Sequence, residues 1–328
     1  MTQTRPQIML DTDPGGDDIF ALLWLLSLVK QNMADLIAVT TANGNVTAQR
    51  TFTNVSQLLS LMDKHLLGKS AIALGRGVIS QSDAGEDASH IHGNDGMGNL
   101  SITLPVATHD FATAPFADDL IIDRLNANPG EITLVAIAPL TNLAAAEAKS
   151  PGILQKAKEL VIMGGAFYQP GNITLQAEFN IWFNPEAAEI VFDSRDDIVV
   201  LPLDITTQLR FTPQMAVAIT QANPDPQFAQ FLLSLCDFMV STALGYRETE
   251  GVPAFLVHDA AAIAYLFYPE VFSFRRGEVH IETQGKWTRG KTVISDRPPA
   301  QARSNAWIAM QVDEPLFFTH FLADLREF

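Results

Sequence analysis

The sequence QIMLDTDPGGDDIFALLWLLSLVK, residues 7–30, decides the fold. Its first six residues are typical of a short buried strand, because apolar side chains lead up to an abrupt rise in polarity. Pro14-Gly15-Gly16 then breaks the strand, and Asp17 and Asp18 stand where carboxylates stabilise a helix N-terminus. The apolar segment Ile19–Lys30 predicts a buried helix. A strand, a glycine turn and a helix in this order indicate the start of an α/β fold.

The same alternation of strand and helix continues along the chain. Further strands are predicted at Leu36–Thr41, Ile72–Leu74, Ile132–Ala138, Leu160–Met163 and Ile198–Leu203, and the tail from Glu278 to Val312 is predicted to form short strands and a final helix. Helices are predicted at Thr47–Asp63, Asp118–Asn126, Asn142–Lys149, Pro185–Phe192, Pro213–Gln221, Gln227–Gly245 and His258–Phe267. Residues 76–110 are a long polar loop. We expect an open, mostly parallel, Rossmann-like sheet flanked by helices, in a single large domain (1–328) with inserted active-site loops.

The composition of the chain argues against two classes of binding partner. The 328-residue chain has 37 acidic and 21 basic residues and a formal charge of −16, which argues against nucleic acid and anionic membrane, because both are polyanions. One cysteine, Cys236, cannot form an internal disulfide, which favours a reducing compartment. Residues 1–7 lack a signal-peptide pattern, and the apolar run Ile19–Val29 is too short to span a bilayer. We therefore expect a cytoplasmic protein that binds neither nucleic acid nor membrane.

Polar side chains gather where the predicted strands end, which is where ligands bind in open α/β sheets. Four aspartates lie within the eight residues 11–18, at Asp11, Asp13, Asp17 and Asp18. Carboxylates packed together repel and raise one another's pKa, and a hard divalent cation such as Ca²⁺ or Mg²⁺ removes that repulsion. The alternative is a strand end and a helix cap whose charges are solvated.

A second alternative is a metal-dependent phosphatase of the haloacid dehalogenase type, which also begins with a strand that ends in D-x-D. Asp11-Thr12-Asp13 fits that pattern. Such an enzyme needs a basic residue for its phosphate, and this acidic chain has no clear lysine motif in a suitable place. No Walker A loop is present either.

A series of motifs, in order over roughly residues 7–270, resembles the inosine-uridine-preferring nucleoside hydrolases. The first is the stretch Asp11–Asp18, which resembles the N-terminal signature of that family. The later ones are Gly44-Asn45, His92-Gly93-x-x-Gly96, Pro139-Leu140-Thr141-Asn142, Met163-Gly164-Gly165, Gly171-Asn172, Ala177-Glu178-Phe179-Asn180 and His258-Asp259. Each motif is weak alone, and their order makes a chance agreement very improbable.

The resemblance implies a Ca²⁺-dependent N-ribohydrolase, which converts a ribonucleoside and water to ribose and a free base. Asp13, Asp18 and Asp259 would bind the ion, with the backbone carbonyl of Ile137 where the family has a threonine carbonyl, and with Asp11 in support. The residues implied for the ribose are Asn45, Asn172, Glu178 and Asn180, with Met163 near the sugar. The family also suggests a homodimer or homotetramer.

These residues suit glycosidic cleavage, whose transition state resembles an oxocarbenium ion. Asp13 can take the proton of an attacking water that Ca²⁺ positions. His258 is expected to help the base leave, with a pKa that a carboxylate such as Asp259 or Glu178 raises. His92 is a further candidate on the side of the base or of a lid. A Ca²⁺-dependent nucleoside- or ribose-binding protein without turnover remains an alternative, and the sequence does not indicate a preference for purine or pyrimidine bases.

Overall fold

The computed structural model describes residues 5–67, 69–223, 225–295 and 304–328. The strands are β1 (Gln7–Thr12), β2 (Asp35–Thr41), β3 (Ala73–Gly75), β4 (Ile132–Ala136), β5 (Glu159–Met163), β6 (Ile198–Leu201), β7 (Arg210–Phe211), β8 (Phe255–Leu256), β9 (Phe272–Ile281), β10 (Thr292–Ser295) and β11 (Ala306–Val312). Part of the predicted tail of short strands, residues 296–303, lies outside the described residues.

The helices alternate with these strands. They are α1 (Gly16–Lys30), α2 (Ala48–Met62), α3 (Ser89–His92), α4 (Ala117–Ala127), α5 (Thr141–Lys149), α6 (Phe179–Phe183), α7 (Pro185–Asp193), α8 (Leu203–Thr206), α9 (Pro213–Thr220), α10 (Pro226–Tyr246), α11 (Ala260–Phe267) and α12 (Glu314–Leu325). The short helices α3, α6 and α8 were not predicted, because four or five residues show no helical periodicity.

One nine-stranded sheet organises the molecule, in the order β10-β9-β11-β6-β5-β4-β1-β2-β3. The pairings from β11 to β3 are parallel, and β9 runs antiparallel to both β11 and β10. The chain proceeds in one direction from β1 to β3 and in the other from β4 to β6, so the order reverses between β1 and β4. This reversal is the point where open α/β sheets bind ligands. The predicted single-domain α/β fold with a mostly parallel sheet is confirmed.

Helix α1 is buried on nearly every side, as its sequence predicts. All residues from Gly16 to Val29 are buried, because α11 and α12 pack against α1 in addition to the sheet. The indole Nε1 of Trp24 donates to the carboxylate of Asp324 over 2.8 Å, which satisfies the one polar atom of that buried ring. A second apolar cluster covers the opposite face of the sheet, around Leu134, Leu143 and Val191. The two clusters hold the strand ends of the site in place.

Helix α10 is the one described helix whose length and composition would let it cross a membrane. One of its faces is buried, at Phe228, Phe231, Leu232, Leu235, Cys236, Met239, Val240 and Ala243. These residues belong to the same apolar cluster as α1. This one-sided burial is typical of a helix that packs on a protein core.

Candidate active site

A cavity of about 270 Å³ lies at the carboxyl ends of β1, β4 and β5, beside the point where the strand order reverses. Its lining has two parts. We call the mostly buried part, together with the adjacent Asp13 that lies outside the lining, the inner end; it contains Asp17, Asp18, Asn45, Ile137, Met163, Glu178, Asn180, His258 and Asp259. We call the more exposed part, which comes from loops and from the end of α10, the outer wall; it contains His90, Ile91, Ile173, Tyr246 and Glu248.

Three carboxylates of the inner end converge. One oxygen from each of Asp17, Asp18 and Asp259 lies within 4.8 Å of the others, and all three residues are buried. Burial and the charge of Asp18 raise the pKa of Asp17 to about 8. Burial, together with the charges of Asp17, Asp18 and Asp13, holds the pKa of Asp259 well above its ordinary value. Such a cluster is stable only when protons or a cation neutralise it.

Asp13 lies next to this cluster, with its N–H 3.2 Å from Oδ1 of Asp18, but it is neither among the three converging residues nor in the lining of the cavity. Its Oδ2 accepts the backbone N–H of Asn45 over 2.7 Å, whereas its Oδ1 is buried without a hydrogen-bond partner among the described residues. Burial and the charge of Asp18 raise the pKa of Asp13 well above its ordinary value. An unpartnered buried carboxylate oxygen beside a cavity is available to accept a proton or to bind a cation.

Asp11 lies behind the cavity lining. Its Oδ1 accepts the hydroxyl of Thr40 over 2.6 Å and the amide of Asn142 over 2.8 Å, and burial raises its pKa to about 7. Asn142 is the last residue of the Pro139–Asn142 motif, and this hydrogen bond links the start of α5 to β1. The main-chain oxygen of Asp11 accepts the N–H of Ile137 over 2.9 Å. Asp11 therefore holds two strand ends together.

The carbonyl of Ile137 is held at the inner end by Asn180. The amide Nδ2 of Asn180 donates to Ile137 O over 3.3 Å and to Met163 O over 3.2 Å. Glu178 caps the N-terminus of α6, because its carboxylate accepts the backbone N–H groups of Asn180 and Ile181. Its Oε2 also accepts the N–H of Gly165 over 2.9 Å. These contacts place Ile137, Met163, Glu178 and Asn180 on one side of the cavity.

Asn45 joins the second strand to the acidic residues. Its Nδ2 donates to Asp13 O and to Asp18 Oδ2, both over 3.1 Å, which leaves its Oδ1 for a ligand. The backbone of two glycines packs closely against these side chains. A Cβ on Gly15 would lie 2.6 Å from Asn45 Nδ2, and a Cβ on Gly44 would lie 2.1 Å from Asp13 Oδ2. Both glycines are needed for space rather than for an unusual φ angle.

Asn172 is more exposed than the other predicted ribose ligands. It lines the cavity from the loop between β5 and α6, and its Oδ1 accepts the N–H of Phe179 over 2.9 Å. The start of this loop is fixed by Asp204 of α8, whose carboxylate accepts the backbone N–H groups of Phe167 and Tyr168 over 2.9 and 2.8 Å. The loop is thus anchored at both ends of the segment that carries Asn172.

His92 ends the short helix α3 and reaches the turn that precedes α1. Its Nδ1 accepts the N–H of Gly16 over 2.9 Å, so the proton of the neutral ring is on Nε2. Burial and the nearby charges of His90 and His258 lower its pKa to about 3. His92 therefore belongs to the cavity as a neutral hydrogen-bond donor.

His258 precedes α11 by two residues, rather than opening the helix as predicted. Its Nδ1 lies 2.7 Å from the hydroxyl of Thr206. The expectation that a carboxylate raises its pKa is wrong: burial lowers that pKa to about 4, because desolvation disfavours the charged ring. Any help that His258 gives to a leaving group must come from the neutral ring.

Several cavity residues were missed or only named in passing by the sequence reasoning. Asp17 was counted in the acidic cluster of residues 11–18 and as a helix cap but was not assigned as a metal ligand, although its pairing with Asp18 in the first turn of α1 was the signal that could have identified it. Glu248 and His90 carried no motif. Tyr246 lines the cavity, with its ring centroid 5.6 Å from that of His90, whereas the neighbouring Arg247 is outside the lining.

The inner end fits a divalent cation. It offers three converging buried carboxylates, the orphaned oxygen of Asp13 and a backbone carbonyl, which are the hard oxygen ligands that such ions prefer. Among the described residues that line the cavity there are five carboxylates and no lysine or arginine. A phosphate ester would meet repulsion without a cationic side chain here, which disfavours the phosphatase alternative.

Comparison with known proteins decides the family. The family model described as inosine-uridine preferring nucleoside hydrolase matches residues 8–319. The chain belongs to this family. Within it, the chain is 33% identical over 317 residues to the inosine-uridine preferring nucleoside hydrolase of Crithidia fasciculata, covering 95% of each chain. It is 35% identical over 288 residues to a probable uridine nucleosidase 2 of rice, covering 86% of this chain and 80% of that protein.

A solved structure agrees with this membership. The purine-preferring ribonucleoside hydrolase from Gardnerella vaginalis superposes with a TM-score of 0.86 at 26% identity, covering 98% of both chains. The fold, the family and the activity class predicted from the motifs, hydrolysis of the N-glycosidic bond of ribonucleosides, are confirmed. The names of these relatives include both uridine and purine preferences, so membership of the family does not settle which base this chain prefers.

Proposed function

We propose that this hydrolase binds Ca²⁺ at the inner end and uses Asp13 as its general base. The observation that carries the proposal is the group of buried carboxylates beside the orphaned oxygen of Asp13. In our assignment the ion is held by Asp13, Asp18, Asp259 and the carbonyl of Ile137, with Asp17 added because its carboxylate converges with those of Asp18 and Asp259. Asp11 supports the site from behind.

A bound cation supplies positive charge that offsets the mutual repulsion of these carboxylates and acidifies a water molecule. We favour Ca²⁺ over Mg²⁺ because a site with this many oxygen donors from separate loops suits the larger and more variable coordination shell of Ca²⁺. The pKa values of Asp17 and Asp259 are raised because their charged forms are unfavourable without a nearby positive charge, which a bound cation supplies.

Asp13 takes a proton from the attacking water while the water oxygen bonds to C1′ of the ribose. The contact from Asn45 N to Oδ2 orients the carboxylate and leaves Oδ1 directed away from that contact. General bases with raised pKa values accept protons more readily at neutral pH than free carboxylates do.

The inner end also binds the ribose. Asn45, Asn172, Glu178 and Asn180 present amide and carboxylate oxygens to the hydroxyl groups, and Met163 packs near the sugar. Because Glu178 and Asn180 are already fixed by backbone hydrogen bonds, they lose little side-chain entropy on binding. Rigid contacts of this kind hold the ring where positive charge develops on it.

His258 and His92 assist departure of the base. When the C1′–N bond breaks, its electron pair stays on the base nitrogen, and a neutral imidazole N–H stabilises that negative charge by hydrogen bonding. The base then takes a proton from solvent and Asp13 releases its proton to solvent, so that nucleoside and water yield ribose and free base. We further propose that the protein works in nucleoside salvage in the cytoplasm, as a homodimer or homotetramer.

Purified protein tests this proposal directly. Uridine, cytidine, inosine and adenosine are each incubated with the protein after EDTA treatment, with Ca²⁺ or with Mg²⁺ added back, and released ribose is measured as reducing sugar. We expect ribose from at least one nucleoside, loss of that activity in EDTA and better recovery with Ca²⁺ than with Mg²⁺. Full activity in EDTA would contradict a metal requirement.

A binding assay distinguishes the remaining alternative. If no nucleoside releases ribose but ribose competes for a bound nucleoside in equilibrium dialysis, the chain is a binding protein that has lost turnover. Release of phosphate from p-nitrophenyl phosphate would instead restore the phosphatase alternative.

A further inference from the structure

A buried hydroxyl that is not part of the cavity lining contacts the ring of His258. Thr206 ends the short helix α8, its side chain is fully buried, and its Oγ1 lies 2.7 Å from Nδ1 of His258. We propose that Thr206 is a positioning residue that fixes His258 in the tautomer whose proton is on Nε2. This inference rests on the proposed role of His258 toward the leaving base.

The direction of the hydrogen bond follows from what surrounds Thr206. A buried hydroxyl must place its hydrogen on an acceptor, because an unsatisfied buried donor costs free energy. Within the described residues, the partner of Thr206 Oγ1 is Nδ1 of His258. The neighbouring Thr207 differs, since its hydroxyl donates to the carbonyl of Leu203 over 2.9 Å. Thr206 therefore donates to Nδ1, and a neutral ring that accepts at Nδ1 carries its hydrogen on Nε2.

The same arrangement occurs at the second histidine of the cavity. Nδ1 of His92 accepts a backbone N–H from Gly16, so that ring also carries its hydrogen on Nε2. Two different donors, a backbone amide and a threonine hydroxyl, thus impose one tautomer on two rings that line one cavity. Each ring presents an N–H, rather than a lone pair, to a departing base that gains negative charge.

Helix α8 also fixes the other side of the cavity. Its Asp204 accepts the backbone N–H groups of Phe167 and Tyr168, and the N–H of Leu203 donates to Gly165 O over 2.9 Å. Four residues therefore hold both the ring of His258 and the start of the loop that carries Asn172. A displacement of α8 would therefore move His258 relative to Asn172.

Variants of two adjacent threonines test the inference. Thr206→Val removes the hydroxyl, Thr206→Ser keeps it, and Thr207→Val is the matched control at the next residue, which caps the C-terminus of α8. Each variant is assayed with the preferred nucleoside and with p-nitrophenyl β-D-ribofuranoside, whose leaving group is good without assistance. We expect Thr206→Val to lower kcat for the nucleoside about tenfold to hundredfold, with little change in KM. Its kcat for the nitrophenyl riboside should change less than about threefold.

The remaining variants complete the pattern. Thr206→Ser should restore most of the activity, and Thr207→Val should match the wild type. The ¹⁵N NMR spectrum of His258, assigned by its loss in His258→Gln, should show the proton on Nε2 in the wild type and a mixture of tautomers in Thr206→Val. If Thr206→Val does not fold, Thr206→Ala takes its place.

The outcomes separate this inference from the proposed function. An unchanged tautomer in Thr206→Val, or an equal loss of kcat on both substrates, would overturn the positioning role. If the wild type releases ribose from no nucleoside, the proposed function fails, and the NMR spectra still decide whether Thr206 fixes the tautomer.

Discussion

The inner end and the outer wall of the cavity are built in different ways. The inner end takes its side chains from segments at the carboxyl ends of strands and from the starts of α1, α6 and α11, and all of them except the half-buried His258 are buried. Hydrogen bonds to the backbone fix Asp13, Glu178 and Asn180 among them. The outer wall comes from the short helix α3, from the loop between β5 and α6 and from the end of α10, and Tyr246 there is 55% exposed. We infer from this difference that the sheet and its helices hold the groups that act on the ribose and the attacking water, whereas the exposed segments contact the base.

The largest effect is expected at the inner end. Asp13→Asn keeps the size of the side chain but removes the proton acceptor, so kcat should fall about a thousandfold or more. The melting temperature should stay the same or rise, because one of several repelling buried carboxylates is removed. Ribose release and differential scanning calorimetry measure the two quantities. Asp119→Asn on the exposed side of α4 is the control, and wild-type turnover in Asp13→Asn would show that Asp13 is not the base.

His258 is the half-buried residue of the inner end, and its removal should reveal which step it serves. His258→Ala should lower kcat about a hundredfold for nucleosides whose bases leave poorly, and much less for p-nitrophenyl β-D-ribofuranoside. Steady-state kinetics on both kinds of substrate measure the contrast. An equal reduction on all substrates would mean that His258 acts on the ribose or the water instead.

Stability should depend on pH at the inner end when no metal is bound. Burial raises the pKa of Asp11 to about 7 and that of Asp17 to about 8, from an ordinary 3.8. The folded state then holds protons that the unfolded state releases, so each group's contribution is complete below about pH 4 and is lost as pH rises toward its folded pKa. In EDTA, each of these carboxyls should lower the free energy of unfolding by about 1.4 kcal/mol per pH unit within that window.

Thermal unfolding in EDTA and in Ca²⁺ measures this dependence. The melting temperature in EDTA should be lower at pH 8 than at pH 5, and Ca²⁺ should raise it more at pH 8. The drop should be smaller in Asp17→Asn. Equal melting temperatures at both pH values, with no response to Ca²⁺, would contradict the electrostatic description of the inner end.

The smallest effect is expected at the outer wall. Tyr246→Ala removes an aromatic ring that contacts His90, and the ratio of kcat/KM for uridine and inosine should change about threefold to tenfold. Activity toward the nitrophenyl riboside should remain within about twofold. Trp307→Ala, an exposed aromatic outside the cavity, is the control. An unchanged ratio would remove Tyr246 from base selection.

The same division explains what the sequence could predict. The rule that ligands bind at the carboxyl ends of strands was enough to identify the residues that follow those ends, without coordinates. These residues are Asp13, Asp18, Asn45 and Glu178. Asp17 was counted in the same acidic cluster but was not assigned as a metal ligand, because an aspartate in the first helical turn also has an ordinary explanation as a cap. Its side chain enters the cavity only because of how α1 leaves the turn, which the sequence pattern does not show.

Other features depend on contacts between distant segments. Thr206 is an unremarkable residue in a four-residue helix, and its importance comes from His258, 52 positions later. The long strand β9 begins at Phe272, six residues before the predicted tail of strands, because its first half pairs with β11 and alternates imperfectly. Long-range packing of this kind leaves no local periodicity.

A crystal structure grown with Ca²⁺ and a non-hydrolysed ribose ligand tests the central claim most directly, with the ion located by its anomalous signal. We predict one ion at the inner end, with oxygens of Asp13, Asp18 and Asp259 at about 2.3–2.6 Å. An ion bound elsewhere, or these three carboxylates too far apart to share one ion, would contradict the account.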